Sequence, residues 1–154
     1  MSILLKDFTD KFLYRGQLVE VSGVGPDSAR NFVRFEGKKE EIPEKLHRVN
    51  VRFVAMNGRD DDPYTVRIEC DFDSDAGVCE TDMNDFLEHF VKNFLYEGQD
   101  VEISSVGPDE NDARYEGPAD EIPNDLKRKR VRYVASSARS AAPNMLRIEC
   151  ALQD

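Results

Sequence analysis

The sequence predicts an α+β protein made of two tandem copies of one unit, each with an N-terminal helix and about four antiparallel strands, packed as a pseudo-twofold pseudo-dimer. Residues 12–27 return 82 positions later at 94–109, and twelve of the sixteen positions are identical. A second block, at 36–70, returns 80 positions later and ends with the same Arg-Ile-Glu-Cys sequence at 147–150. A period of half the chain sets the architecture before any local propensity is considered.

The repeat divides the chain into a first copy at 1–70, an acidic linker at 71–82 and a second copy at 83–154. A unit of this size lies near the lower limit for an independent core, so we expect the copies to pack against each other. Two arrangements satisfy this requirement. One is a continuous sheet of about eight strands with both helices on one side, and the other is two sheets that face each other.

Each copy begins with a predicted amphipathic helix. Apolar residues recur at helical spacing, at Leu4, Leu5, Phe8 and Phe12 in the first copy and at Phe86, Leu87, Phe90 and Phe94 in the second. Ser2 is the predicted N-cap of the first helix, and Thr81 or Asp82 that of the second. Gly16 and Gly98 are predicted to end the two helices.

The first two strands of each copy follow the helix. Val19 and Val21 alternate with Glu20 and Ser22, which predicts a half-buried strand, and residues 101–104 repeat the pattern. A short strand is predicted next, at 33–36 in the first copy and at 113–116 in the second. A Glu-Ile-Pro-x-x-Leu sequence then predicts a turn or a single helical turn whose Ile and Leu plug the sheet.

Two longer strands end each copy. We expect one common face for Val49, Val51, Phe53 and Ala55, and likewise for Val131, Tyr133 and Ala135. Charged residues are retained on the predicted outward faces, at Arg52, Arg67 and Glu69 and at Arg132, Arg147 and Glu149. Cross-strand ion pairs, or two equivalent binding sites, would both explain charges retained at solvent-facing positions.

Composition and charge bear on the class of protein. The net charge is -10, and five of the excess acids lie at 71–83, so we do not expect the continuous acidic face of a nucleic-acid mimic. No apolar run reaches the roughly 18 residues of a membrane span, and the N-terminus lacks the pattern of a signal peptide. Cys70 and Cys150 match between the copies and suggest buried free thiols. We expect an intracellular protein, cytoplasmic or nuclear.

Catalysis and cofactors are not predicted. The sequence has only two histidines, and neither is shared by the copies: His47 aligns with Lys127, and His89 aligns with Asp7. The sequence contains no Gly-rich phosphate loop, HExxH or CxxC motif. We therefore expect no enzymatic activity and no cofactor.

The linker partly resembles a calcium loop. Asp71, Asp73, Asp75 and Asp82 have the alternating spacing of such ligands. Position six of the motif requires Gly but is Ala76, and the last ligand is Asp rather than a bidentate Glu. We therefore interpret the segment as a polar linker and keep these four carboxylates as the metal candidate.

The basic residues supply the predicted partner-binding site. Five of the six residues at 127–132 are Lys or Arg, whereas the first copy has only Arg48 and Arg52 at the matching basic positions. The candidate binding residues are Arg52, Arg67, Lys127, Arg128, Lys129, Arg130, Arg132 and Arg147. Such a cluster can bind phosphates or an acidic protein surface.

Our first functional hypothesis is a non-catalytic interaction protein, an adaptor or inhibitor, that binds a protein partner through a sheet face, a sheet edge or its acidic surface. A nucleic-acid-binding module that uses the basic strand 127–132 is the first alternative. A receptor for small anionic ligands with two pseudo-equivalent sites is the second. We also expect self-association through sheet edges.

Overall fold

The computed structural model describes residues 3–23, 33–56, 65–72, 85–106, 113–136 and 145–151 of the chain. Within them it confirms two similar units, each with an N-terminal helix and a four-stranded sheet. None of the helices in these ranges is long and apolar enough to cross a membrane.

The first copy contains one α-helix and four strands. These elements are α1 (Leu5–Phe12), β1 (Leu18–Gly23), β2 (Val33–Lys38), β3 (Asn50–Met56) and β4 (Val66–Asp71). Two single turns of 3-10 helix, Lys39–Glu41 and Glu44–Leu46, connect β2 to β3. They carry the predicted plug, because Ile42 and Leu46 are both buried.

The second copy repeats these elements in the same order. They are α2 (Leu87–Phe94), β5 (Asp100–Ser105), β6 (Ala113–Pro118), a 3-10 turn (Ala119–Glu121), α3 (Asn124–Lys127), β7 (Arg130–Ser136) and β8 (Leu146–Ala151). The short helix α3 takes the place of the second 3-10 turn of the first copy. Ile122 and Leu126 are buried like their counterparts.

The two sheets have the strand orders β2-β1-β4-β3 and β6-β5-β8-β7. Two antiparallel pairs, β1–β2 and β3–β4, meet in the middle of the first sheet, where β1 and β4 run parallel. Each sheet is therefore mixed rather than purely antiparallel. Because the strands form two separate sheets, the single eight-stranded sheet does not occur in the described residues.

The central strands are buried on both faces, so the predicted half-buried pattern is wrong. Glu20 and Ser22 of β1 are only 3% and 0% exposed, and Glu102 and Ser104 of β5 are equally buried. The alternation in the sequence reflects two different faces, one apolar under the helix and one polar. We call the side of each sheet opposite its helix the polar face.

A β-bulge changes the facing of β3 from the predicted pattern. Val51 is opposite Cys70 and Phe53 is opposite Glu69, so Arg52 is an extra residue in the strand. Beyond the bulge, Val54 enters the core, whereas Phe53 lies on the polar face with Glu69. The same shift occurs in β7. The predicted common face of alternate residues is therefore interrupted by the extra residue.

All four outer strands of the two sheets contain such a bulge, and each bulged residue is an arginine. The register shifts place Arg34, Arg52, Arg114 and Arg132 at the bulges, and all four are exposed. A bulge and a charged residue both protect a strand edge against unwanted pairing.

Backbone groups cap the two helices, and the predicted N-caps Ser2, Thr81 and Asp82 lie outside the described residues. The N-cap residues are Leu4 and Phe86, which have no capping oxygen. The N–H of Leu5 donates to the carbonyl of Val49 at 2.8 Å, and the matching bond in the second copy has the same length. The chain entering the third strand of each copy therefore satisfies an N–H group that a side chain would otherwise bond.

Gly16 lies in a turn after α1 rather than at its end. The helix ends at Phe12, and the N–H of Gln17 donates to the carbonyl of Tyr14 at 3.1 Å. Gly16 has a φ of 79°, which a type II turn requires at its third residue. Gly98 has a φ of 76° and the same role in the second copy. Both glycines set the direction of the chain after the helix.

The two copies share a core of four phenylalanines from α1 and α2. The ring centroids of Phe8 and Phe94 are 5.4 Å apart, and those of Phe12 and Phe90 are 5.2 Å apart. All four rings are at most 1% exposed. In addition, α1 contacts β7 of the other copy and α2 contacts β3. The copies are therefore joined through their helices.

We expect Phe90→Ala to lower the free energy of unfolding by about 3–5 kcal/mol, because it leaves a cavity between the copies. Urea unfolding followed by circular dichroism measures the change. Glu88→Ala on the exposed side of the same helix is the control and should change stability by less than about 0.5 kcal/mol. Equal effects of the two substitutions would contradict the shared core.

Candidate functional site

The retained charges lie on the polar faces. Their predicted exposure is wrong for β4 and β8, the last strand of each copy in chain order. The side chains of Arg67 and Glu69 are 11% and 3% exposed, and those of Arg147 and Glu149 are 6% and 4% exposed. They are inaccessible because each lies near the middle of a sheet whose polar face is covered.

These charges pair within the sheet. Nε of Arg67 is 3.0 Å from Oε2 of Glu69, and Nε of Arg147 is 3.2 Å from Oε2 of Glu149. Nη1 of Arg147 also lies 3.9 Å from Oε2 of Glu102 on the neighbouring strand β5. Removing one member of such a buried pair leaves the other charge uncompensated, which is strongly destabilising. Arg67–Glu69 and Arg147–Glu149 therefore pair along one strand, whereas the pair of Arg147 with Glu102 is of the predicted cross-strand kind.

Tyr14 of the first copy completes the polar face of the second. Its ring stacks on Tyr133 of β7, with centroids 3.9 Å apart and the planes 12° from parallel. Its hydroxyl donates a short hydrogen bond to Oε1 of Glu149. Burial, followed by the neighbouring Glu149 carboxylate, raises the pKa of Tyr14 above its ordinary value of 10.0. The phenol therefore remains a hydrogen-bond donor throughout the physiological range.

Tyr96 makes the reciprocal contact. Its ring stacks on Phe53 of β3 at 4.0 Å, and its hydroxyl donates to Oε1 of Glu69. Three residues further on, Nε2 of Gln99 donates to the carbonyl of Val54 at 3.2 Å. Each copy thus extends the turn after its helix over an edge strand of the other copy. The tyrosine and glutamine are identical in both copies, and this identity was the sequence signal for a shared role, but it did not show that they act across the copies.

Two more of the predicted binding arginines have intramolecular partners. Nη1 of Arg52 lies 3.5 Å from Oδ2 of Asp71. Nη1 of Arg130 lies 2.5 Å from Oδ1 of Asp85, and its guanidinium lies 4.7 Å from the ring centroid of Phe86. The first copy has Asn50 where the second has Arg130. This salt bridge consequently belongs to the second copy alone.

Arg130 and the other predicted residues of the second copy apart from Arg147 form an exposed basic segment, which we define as residues 127–132. Arg128, Arg130 and Arg132 are exposed, and Lys127 and Lys129 are half-buried. The segment runs from the end of α3 into β7, so it lies at an outer strand of the second sheet. The structure therefore keeps most of this cluster at the surface, whereas Arg147 is buried and the Arg67 side chain is only 11% exposed.

A pocket of about 210 Å³ lies beside α1, and His47 and Lys39 line it. Nε2 of His47 lies 3.0 Å from the carbonyl of Ile42. Nζ of Lys39 donates to the carbonyls of Thr9 and Leu13, both at 2.9 Å. The lysine thus satisfies carbonyls at the end of the helix, and the imidazole bonds to the backbone. Both groups therefore have structural partners in the backbone.

The metal and thiol candidates fall partly outside the described ranges. Asp71 lies at the end of β4 beside Arg52, and the other three carboxylates of the calcium candidate are at positions that the structure does not describe. Within the described residues, no group of three or more His, Cys, Asp or Glu could hold a metal ion. Cys70 and Cys150 are free and buried, and burial raises the pKa of Cys150 to about 12.

No protein family, curated protein or solved structure matches this chain. The functional argument therefore rests on its own geometry. That geometry separates two sets of charges. One set is buried and holds the copies together, and the other is the exposed basic segment.

We expect Tyr14→Phe and Tyr96→Phe each to destabilise the fold by about 1–3 kcal/mol, because each removes the donor to a buried carboxylate. Tyr115→Phe is the matched control, since the first copy already has Phe35 at that position. Urea unfolding of the three variants measures the difference. Unchanged stability in Tyr14→Phe and Tyr96→Phe would show that these hydroxyls do not hold the copies together.

The raised pKa of Tyr14 predicts a loss of stability at alkaline pH. The unfolded chain releases the phenol proton near pH 10, whereas the folded chain keeps it, so the contribution is full below about pH 10 and declines above it. We expect the stability difference between wild type and Tyr14→Phe to be constant from about pH 8 to pH 9 and to shrink from there towards pH 11. Urea unfolding at each pH measures it. A difference that stays constant to pH 11 would contradict the raised pKa.

Proposed function

We propose that this chain is a non-catalytic interaction protein that uses its basic segment, residues 127–132, to bind an acidic segment of a protein partner. The observation that carries the proposal is an exposed cluster of bases that only one of two equivalent scaffolds possesses. The additional bases are not needed for the fold, they are accessible, and their surroundings favour a short acidic ligand.

The two copies build the same strand with different numbers of bases. The strands β3 and β7 have the same length, the same bulge and the same register against β4 and β8. The first copy builds this element with His47, Arg48 and Asn50 where the second has Lys127, Arg128 and Arg130. The scaffold therefore does not require the additional bases, and a binding role explains why they are clustered.

Two arginines of the basic segment are accessible to a partner. Arg128 and Arg132 are exposed, and Arg132 is the bulged residue of β7. A bulge re-aims its side chain and is common next to binding sites. Arg130 is partly committed to Asp85 and Phe86. The bases best placed to contact a partner are therefore Arg128 and Arg132, with Lys127 beside them.

The charge around the basic segment favours a short acidic ligand. The chain as a whole carries a net charge of -10, so the basic segment is a small positive area on an acidic protein. Electrostatic interactions are screened beyond about 8 Å at physiological ionic strength, which lets a local basic cluster act despite the total charge. Two or three adjacent acidic side chains of a peptide can lie within that distance of the basic segment. A long phosphate backbone would extend over acidic surface and be repelled, which favours a protein partner over nucleic acid.

The receptor for small anions has less support. It assigned Arg67 and Arg147 to two equivalent sites, but Arg147 is buried against Glu149 and Arg67 is largely covered beside Glu69. The exposed arginine of the first copy, Arg52, lies beside Asp71. An anion at either place would have to displace a carboxylate that is already there.

The test uses a fluorescent decamer of glutamate and a single-stranded decanucleotide, each titrated with the full chain. We expect the peptide to bind and its affinity to fall as salt is raised. The double substitution Arg128→Glu with Arg132→Glu should reduce that affinity by about tenfold or more, since it reverses two of the contacting charges. Fluorescence anisotropy at two salt concentrations measures the change.

Arg48→Glu is the matched control, because Arg48 is the exposed counterpart of Arg128 in the first copy. It should leave the peptide affinity unchanged. If only the oligonucleotide binds, and the double variant abolishes that binding, the nucleic-acid alternative replaces the proposal. If neither probe binds, the basic segment does not recognise acidic ligands. An affinity capture from native lysate, with and without nuclease and with the double variant beside wild type, would then identify the natural partner.

A further inference from the structure

A shallow hollow of about 300 Å³ lies where the turn after α1 meets the end of β7. The residues that line it include Tyr14, Gly16 and Leu18 of the first copy and Ala135 and Ser136 of the second. Leu18 is 40% exposed, and the one other exposed large apolar side chain among the described residues is Val106. A Cβ atom added at Gly16 would meet nothing within 4 Å. The hollow therefore offers an apolar wall and open space to a side chain from outside.

At the matching position of β3, the protein supplies a long apolar side chain of its own. Met56 has the position that Ser136 has in β7, and it is only 7% exposed. The wall differs as well, because Asp100 begins β5 where Leu18 begins β1. A methionine is thus packed at one of the two equivalent positions, whereas the shorter serine leaves room at the other.

The charges at the hollow favour an acidic ligand. Arg15 lines the hollow and is exposed. Glu40 lies near Arg15, but both of its carboxylate oxygens accept from the N–H of Gly16 at 3.0 Å. The matching turn of the second copy has Glu97 in place of Arg15, followed by Asp100. The turn beside β7 therefore carries a base where the turn beside β3 carries acids, which suits an acidic ligand at β7 alone.

The hollow and the basic segment lie on the same strand. The bases are at the beginning of β7, and the hollow is at its end. Ala135 is three positions after Arg132, which corresponds to about 10 Å along a strand. Between them, the ring of Tyr14 stacks on Tyr133. An extended peptide therefore needs only three or four residues to reach from one place to the other.

We infer that the hollow binds a bulky apolar side chain of the same partner whose acidic residues bind the basic segment, and this inference rests on the proposed function. The recognised sequence would carry a leucine-sized side chain three or four residues from a run of Asp or Glu. Contacts between exposed charges weaken as salt is raised, whereas burial of an apolar side chain does not depend on them. The hollow would therefore distinguish this partner from other acidic segments.

Four fluorescent peptides test the inference by anisotropy with the full chain. Each has eight glutamates and a two-glycine spacer that ends in leucine or alanine, placed at the N-terminal or the C-terminal end because a peptide can follow β7 in either direction. We expect leucine at one end to bind about fivefold or more tightly than alanine, at low and at high salt. Equal affinities of leucine and alanine at both ends would overturn the inference and leave the proposed function standing. Binding of none of the four peptides would overturn both.

Ser136→Met should fill the hollow, since β3 already carries Met56 at this position. It should remove the advantage of leucine and leave the affinity for the alanine peptides unchanged, because no charge is altered. Val106→Ser is the control, since it removes the other exposed apolar side chain, which does not line the hollow, and it should keep the advantage. An advantage that survives in Ser136→Met would place the leucine elsewhere and contradict the inference.

A second copy of this chain is the alternative occupant of the hollow. Sedimentation velocity over a concentration series distinguishes the two, and we expect wild type to sediment as a monomer throughout. A wild type that dimerises while Ser136→Met stays monomeric would show that the hollow is a self-association site, and the inference would be wrong.

Discussion

The reciprocal insertion of one tyrosine into the polar face of the other copy is the contact that organises this protein. Tyr14 and Tyr96 each place a phenol against a buried glutamate and a ring against the aromatic residue of an edge strand. A buried carboxylate needs both a cation and donors. The sheet supplies the arginine and the opposite copy supplies the hydroxyl. Neither polar face is therefore complete without the other copy, which explains why two units near the lower size limit occur in one chain.

The same insertion determines which edge strands are covered by the opposite copy. At one edge of each sheet, β3 and β7 are contacted by the helix of the opposite copy. The side chain of Gln99 also contacts β3. At the opposite edge of each sheet lies β2 or β6. Bulged arginines interrupt all four edge strands, and Pro118 adds further protection to β6. Every edge strand of the two sheets therefore carries an exposed arginine at a bulge.

Much of the fold follows from the repeat in the sequence, because helical spacing, turn residues and strand periodicity occur twice at matching positions. The facing of individual strands could not be predicted in the same way. The retained Glu69 and Arg67 have the alternation expected of a solvated strand, and only the fold shows that Tyr96 covers them. The extra residue at Arg52 cannot be detected from periodicity either, since a bulge is defined by the register with β4. The basic segment was predictable because surface charge requires no long-range contact.

Duplication explains how the copies can share a scaffold and differ in binding. The residues that join the copies are under a mutual constraint, since a change at Tyr14 affects Glu149 and a change at Tyr96 affects Glu69. Residues that touch neither the shared core nor the polar faces have no such constraint. The clearest differences in chemistry lie there. Lys38 of the first copy aligns with Pro118 of the second, and the segment around Arg48 has fewer bases than the matching segment around Arg128. One copy can therefore carry a basic surface that the other lacks, while each still completes the fold of its neighbour.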